Sequence, residues 1–152
     1  DYDEKENKNF NISEAITEII NDLKIIYPNQ KINFSSKKSF INSDYHLIRQ
    51  LFLNLIENAI KYGRDKEIYI NIRENKNIIV DIIDNGEGIS QENLKHIFDR
   101  FFRVDKARSR EMKSHGLGLS IVKKIVETLN IDLDIRSELN KGTIVTLTLP
   151  LK

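Results

Sequence analysis

The 152-residue chain contains no cysteine. Disulfides, thiolate metal sites and thiol nucleophiles are excluded together, and a reducing compartment is in keeping with that. No stretch approaches the run of about 18 apolar residues that a membrane span requires, and no signal-peptide pattern opens the sequence. The expectation is a soluble domain without direct membrane contact. An excess of charge of one sign is missing too. With 24 Lys and Arg against 23 Asp and Glu, the formal net charge is +1, short of the basic excess usual in a nucleic-acid binder. Internal repeats and low-complexity tracts are absent. What remains is a chain the size of one ordinary domain, long enough to bury about two-thirds of its unfolded surface unaided.

The apolar pattern divides the chain into elements. Asp1 to Asn9 is charged and aperiodic and reads as a linker or frayed end. Ile16, Ile19, Ile20, Leu23 and Ile26 recur at helical spacing, with Ser13 as the expected N-cap and Pro28 as the stop. Residues 31–34 suit a short strand. Asp44 is placed to cap a second helix, whose apolar positions (Leu47, Ile48, Leu51, Phe52, Leu55, Ile56) cover most of its circumference and predict central burial. Ile68, Ile70 and Ile72 alternate as a half-buried strand, and Asn75-Lys76-Asn77 turns into a second strand over Ile78–Asp84. Ser90 to Phe102 reads as helical or mixed. Gly116 opens a third long helix with Ile121, Val122, Ile125, Val126 and Leu129 on its buried face. Two closing strands, 131–137 and 143–149, are joined through Asn140-Lys141-Gly142. Three helices and about five strands in mixed order predict a two-layer α/β sandwich with a mixed sheet.

Four segments carry candidate chemistry. On the second helix, Asn54, Asn58, Lys61 and Tyr62 fall within about 100° of one another and share a stripe. An unpaired buried amide costs about 1–3 kcal/mol. These asparagines therefore either cap a neighbouring loop or, as Asn58 does in the second reading, offer a carbonyl oxygen to a hard cation while Lys61 meets a phosphate. Asp84-Asn85-Gly86-Glu87-Gly88-Ile89 leaves a buried strand, and alternation puts the Asp84 carboxylate on the core side with Val80 and Ile82. Asp-Asn-Gly is strong turn chemistry, but a turn leaves the second glycine unexplained, and a planar base with an exocyclic amine would satisfy Asp84. Gly116-Leu117-Gly118-Leu119 marks a loop becoming a helix. It is either a phosphate seat or a site of close packing through small residues. It lacks the Gly-Lys-Ser/Thr of a Walker loop and the third glycine of a dinucleotide fingerprint. Between these segments, Asp99 to His115 holds six cations and three acids without a period. Such a loop is a basic flap over a triphosphate or a solvated surface segment.

Taken in order, NLIEN, DNGEG, HIFDRFFR and GLGLS resemble the ATP-binding catalytic domain of two-component sensor histidine kinases. That domain belongs to the wider ATPase group with gyrase, MutL and the ninety-kilodalton heat-shock chaperones. The resemblance covers about residues 10–152 and implies the Bergerat ATP-binding fold, with Mg²⁺ and ATP as cofactors. It implies Asn58 as metal ligand, Asn54 as phosphate support, and Lys61 and Arg103 as catalytic contacts to phosphate. Tyr62 would pack along the nucleotide, and Asp84 would accept from the adenine amine, with Gly86, Gly88 and Ile89 around the base. Phe98, Phe101 and Phe102 would anchor a lid hinge. Ser114, His115, Gly116, Leu117, Gly118 and Leu119 would form the lid end and polyphosphate cradle, with Thr143 in the closing turn. Ser114 stands where the family often has glycine.

The resemblance also implies what lies elsewhere. Family members that hydrolyse ATP usually carry Glu at the position of Asn54, and an amide cannot act as general base. The phosphoacceptor is a His followed by an acidic residue on a helical hairpin, whereas His46, His96 and His115 precede Leu47, Ile97 and Gly116. Residues 1–9 would then be the linker from a dimerisation domain that supplies the acceptor, with a response regulator as the indirect partner. The isolated domain is expected to be monomeric and cytoplasmic, its parent anchored in the cell membrane. An ATP-gated interaction module without transfer chemistry is the alternative.

Overall fold

A computed structural model describes residues 6–35, 37–99 and 118–150. The first helix, α1 (Ile12–Ile26), buries the stripe Ile12, Ala15, Ile16, Ile19, Ile20 and Leu23. Its N-cap is Asn11, not the expected Ser13. The Asn11 side-chain oxygen accepts from Ser13 N at 3.1 Å and also from Ser39 N at 3.0 Å. One amide oxygen thus joins the helix start to a distant loop, and Ser13 is buried inside the first turn. At the other end Tyr27 leaves the helical region ahead of Pro28, as the residue before proline tends to do. Ile26, expected on the buried stripe, is 63% exposed instead.

The charged start read as a linker over 1–9 becomes strand β1 at Asn7. β1 (Asn7–Asn11) pairs antiparallel with β3 (Phe40–Asp44) in a small separate sheet. Its pattern has one large apolar residue, Phe10, which meets the Tyr45 ring edge-on at 5.2 Å. Asp44 caps α2 (Tyr45–Tyr62) as expected, accepting from Leu47 N at 3.0 Å, and its other oxygen accepts from Glu6 N at 2.8 Å.

The main sheet runs β2 (Ile32–Ser35), β4 (Ile68–Glu74), β5 (Ile78–Asp84), β7 (Gly142–Leu149), β6 (Asp132–Glu138) in spatial order. β2 and β4 are parallel and the remaining neighbours antiparallel, so the sheet is mixed. Between β5 and the closing hairpin lie the short α3 (Gln91–Leu94), capped by Ser90, and α4 (Gly118–Leu129). α1, α2 and α4 form the second layer, sharing one core with Ile68, Ile70, Ile72, Ile78, Val80, Ile82, Leu147 and Leu149. α2 lies at the centre, against α1, α4 and β5, which is why apolar residues surround it. The predicted two-layer sandwich with a five-stranded mixed sheet and three covering helices is the observed architecture. No described helix is long and apolar enough to cross a membrane.

Candidate functional site

The centre of the site is the end of β5. Alternation through Ile78, Val80 and Ile82 carries Asp84 to the helix side, where it is 8% exposed. In register it stands between Ile68 on β4 and Thr143 on β7. Its Oδ1 accepts from Gly86 N at 3.0 Å, and the Thr143 N–H also donates to the carboxyl. A carboxylate has about four acceptor positions, so two backbone donors leave capacity for another. Burial pushes its pKa up to about 6, the Gly86 and Thr143 donors pull it down, and the Glu87 charge raises it further. At neutral pH Asp84 is therefore mainly an ionised acceptor held at the edge of the core.

The loop after Asp84 is wedged between two backbones. A Cβ on Gly86 would lie 2.1 Å from Tyr62 O, and one on Gly88 would lie 2.1 Å from Glu138 O. Gly88 also has φ +73°. Both glycines were expected to make room for a base. The space each keeps open is filled by protein backbone, so packing alone requires glycine there. Hydrogen bonds complete the clamp. Glu87 N donates to Tyr62 O at 3.4 Å, and Asn140 N donates to Glu87 O at 2.7 Å. Ile89 N donates to Ser137 Oγ at 2.7 Å, and that hydroxyl is 2.7 Å from Thr143 Oγ1. Ile89 and Thr143, both singled out in the sequence, thus meet through Ser137, which was not.

α2 supplies the adjoining wall. Asn54, Asn58, Lys61 and Tyr62 are all half-buried along its C-terminal half. Asn54 Nδ2 donates to Gln50 O at 2.8 Å, the back-bond of a short polar side chain inside a helix. The Asn58 amide makes no hydrogen bond to any described residue. Glu57 points elsewhere, its Oε2 accepting from Tyr27 OH at 3.0 Å, and burial with that bond drives the Tyr27 pKa up to about 12. α2 ends at Gly63, where a Cβ would sit 2.6 Å from Ala59 O and 3.8 Å from Asp84 Cβ. Gly63 belongs to none of the four candidate segments. A glycine after a helix's last apolar residue is the C-cap signal that would have found it.

α4 packs along α2 and begins at Gly118, with Leu119 packed against the core. Phe98 is likewise half-buried against that core. Among the histidines, His46 and His96 are on the surface, His96 with Nδ1 3.1 Å from Asp99 Oδ2. Arg103, Ser114, His115, Gly116, Leu117, Phe101, Phe102 and most of the Asp99–His115 loop lie outside the described residues.

A family model described as histidine kinase-, DNA gyrase B-, and HSP90-like ATPase matches residues 43–152. The chain belongs to that ATPase family. Its relatives include the signal transduction histidine-protein kinase ArlS of several Staphylococcus aureus strains, 43% identical over 136 residues. That alignment covers 87% of this chain but 30% of ArlS, so the chain spans under a third of these relatives' length. Two solved structures share the fold. The mycobacterial sensor histidine kinase MprB superposes with TM-score 0.83 at 21% identity, covering 95% of this chain and 97% of that one. Full-length ShkA in complex with AMPPNP gives TM-score 0.81 at 20% identity over 97% of this chain and 31% of its own. The family match spans α2, the β5 loop and the closing hairpin, the three parts of the ATPase fold that meet around Asp84.

Proposed function

We propose that this ATPase-family domain binds Mg-ATP beside Asp84 and serves as the catalytic domain of a sensor histidine kinase. It would pass the γ-phosphoryl group to a histidine on a dimerisation hairpin, for relay to a response regulator. The carrying observation is Asp84, a buried carboxylate with acceptor capacity left over at the end of a central strand. An exocyclic amine donates to such a group, whereas guanine presents a carbonyl oxygen there and would set a second acceptor against the carboxylate's remaining lone pairs. The ArlS relatives are named histidine-protein kinases, and ShkA was solved with an ATP analogue, which supports nucleotide as the ligand.

In this reading Tyr62 and Ile89 flank the base, and Lys61 and Asn54 serve the phosphates. Arg103 meets the γ-phosphate, Gly116–Leu119 close over the polyphosphate, and Phe98 anchors the lid. Asn54 is an amide and cannot activate water, which favours an acceptor that is already nucleophilic, such as imidazole. The module would work in the cytoplasm, on a membrane-anchored parent.

Mg²⁺ suits Asn58. The ion takes few protein ligands and keeps water and phosphate oxygens for the rest. Among the described residues no cluster of His, Asp or Glu forms a metal cage of its own. When bound, the metal would neutralise phosphate charge, and Asn58 would contribute its unbonded carbonyl oxygen. Asn58→Ala should leave the melting temperature nearly unchanged and remove most of the Mg²⁺-dependent gain in ATP affinity. Calorimetry with and without Mg²⁺ measures it. An equal Mg²⁺ gain in variant and parent would remove Asn58 from the metal site.

A further inference from the structure

The closing hairpin meets the base loop at one hydroxyl. Ser137 Oγ accepts from Ile89 N at 2.7 Å, donates to Gly142 O at 2.9 Å and stands 2.7 Å from Thr143 Oγ1. In register Ser137 lies opposite Thr143, and Thr143 lies opposite Asp84. Residues directly opposite on paired strands share a face, so all three are on the helix side of the sheet. The Ser137 carbonyl in turn accepts from Gln91 Nε2 at 3.1 Å, at the start of α3.

The supply of hydrogens fixes the direction of each bond. A serine hydroxyl has one hydrogen to give and two lone pairs to receive. Gly142 O is a carbonyl oxygen and only accepts, so the Ser137 hydrogen lies on that bond. The two lone pairs are taken by the Ile89 N–H and by the Thr143 hydroxyl, which is therefore the donor across the 2.7 Å contact. With that hydrogen committed, Thr143 Oγ1 has only lone pairs for a further partner. Its backbone N–H is committed as well, to the Asp84 carboxyl. The Gly142 carbonyl that orients the chain is itself held in place. Gly142 has φ +118°, and a Cβ there would lie 2.1 Å from Asp84 O and 2.8 Å from Asn85 Cα, so its backbone is seated against the end of β5.

We propose that Ser137 is a positioning residue for base selection: its hydroxyl holds Ile89 beside the base and turns the Thr143 hydroxyl so that, like the Asp84 carboxylate, it offers the ligand lone pairs only. The inference rests on the reading of Asp84 as the base's partner and adds to it a residue that acts through its neighbours. Two neighbouring acceptors favour a base edge that donates and oppose one that presents a carbonyl oxygen. Without the Ser137 hydroxyl, the Thr143 hydroxyl is free to rotate and donate, and the opposition to a carbonyl softens. The Ile89 N–H loses its partner at the same time.

The test is calorimetry with Mg²⁺ and non-hydrolysable analogues of ATP and of GTP, on the whole chain and on Ser137→Ala. Ser137→Cys is the second variant, since it keeps the shape of the side chain while a thiol donates and accepts only weakly. Both variants should bind the ATP analogue more weakly, Ser137→Ala by about tenfold, with the GTP analogue little changed, so that the preference for adenine shrinks. Hydrogen exchange at the Ile89 amide should quicken in both, because that N–H has lost its acceptor. A purely structural serine would weaken the two analogues by the same factor. A preference for adenine equal to the parent's therefore overturns the proposal, whatever the exchange at Ile89. A parent that binds both analogues alike removes the reading of Asp84 itself, and this inference with it.

Discussion

Asp84→Asn should make the nucleotide-free domain more stable and nearly blind to ATP. A folded-state pKa of about 6, against 3.8 for the free side chain, means that folding disfavours the charged form. The sign follows from linkage. A group whose folded pKa is raised contributes most below its unfolded value, here about pH 4, and that contribution is lost as pH rises through about 6. Each unit corresponds to about 1.4 kcal/mol, so relief of the buried charge should stabilise the variant by on the order of 1–3 kcal/mol above pH 6. For a domain of this size that is a rise of roughly 3–10 °C in melting temperature. The gain should vanish near pH 4, where parent and variant are both neutral. ATP binding should meanwhile fall by about a hundredfold, because an amide cannot replace a charge-assisted acceptor without cost. Thermal melts across pH 4 to 8, with calorimetry at pH 7.5, measure both effects. A variant less stable than the parent at pH 7.5 would mean that the Gly86 and Thr143 donors outweigh burial.

Gly86→Ala should be strongly destabilising, opposite to the usual effect of such a change. At a compatible site, glycine to alanine stabilises by about 0.4–1 kcal/mol through the unfolded state. Here the added methyl would lie 2.1 Å from Tyr62 O, 2.6 Å from Gly63 Cα and 2.9 Å from Gly63 C. All three are backbone atoms, so no rotamer change relieves the contact. The loop must withdraw from the end of α2, stretching the Gly86 bond to Asp84 and the Glu87 bond to Tyr62. Overpacking of this kind costs typically 1–3 kcal/mol and sometimes more. Urea unfolding should show the midpoint falling accordingly, and the folded remainder should bind ATP poorly because Asp84 has lost its setting. A midpoint equal to or above the parent's would show that the loop is free to move without cost.

These two residues also mark how much of the molecule was legible beforehand. Asp84 was readable because strand alternation is a rule of direction, and Val80 and Ile82 fixed the side. Gly86 was readable as a required glycine, but its packing reason was not. A sequence shows that a Cβ is not tolerated without showing what fills its place, and here the occupant is α2's own end. The helical wheel likewise gave Asn58 the right stripe and the wrong depth. Leu47 and Leu51 on that stripe are buried, whereas Asn54, Asn58 and Lys61 nearer the C-terminus are half-exposed. A wheel records angle and not height.

The misses share a physical cause, which is that tertiary partners decided them. β1 and β3 carry too few apolar residues to show a period, and each forms because the other satisfies its backbone. Asn11 displaced Ser13 as cap because its oxygen also takes the distant Ser39 N–H. Ser137 had no local signal at all. Its role comes from register, which sets it opposite Thr143 and within reach of Ile89. Elements specified by their own periodicity, α1, α2, β4 and β5 above all, appeared where the sequence placed them.

If the buried Asp84 carboxylate reads an adenine amine, an adenosine analogue tests it without altering the protein. Calorimetry at pH 7.5 with Mg²⁺ would compare ATP, GTP and purine riboside triphosphate, which keeps the ring system and phosphates but lacks the 6-amino group. One-to-one binding of ATP is expected, with the other two weaker by on the order of tenfold to a hundredfold, the worth of a hydrogen bond to a charged group. Equal binding of all three would contradict it, since the phosphates alone would then carry recognition and Asp84 would face no base.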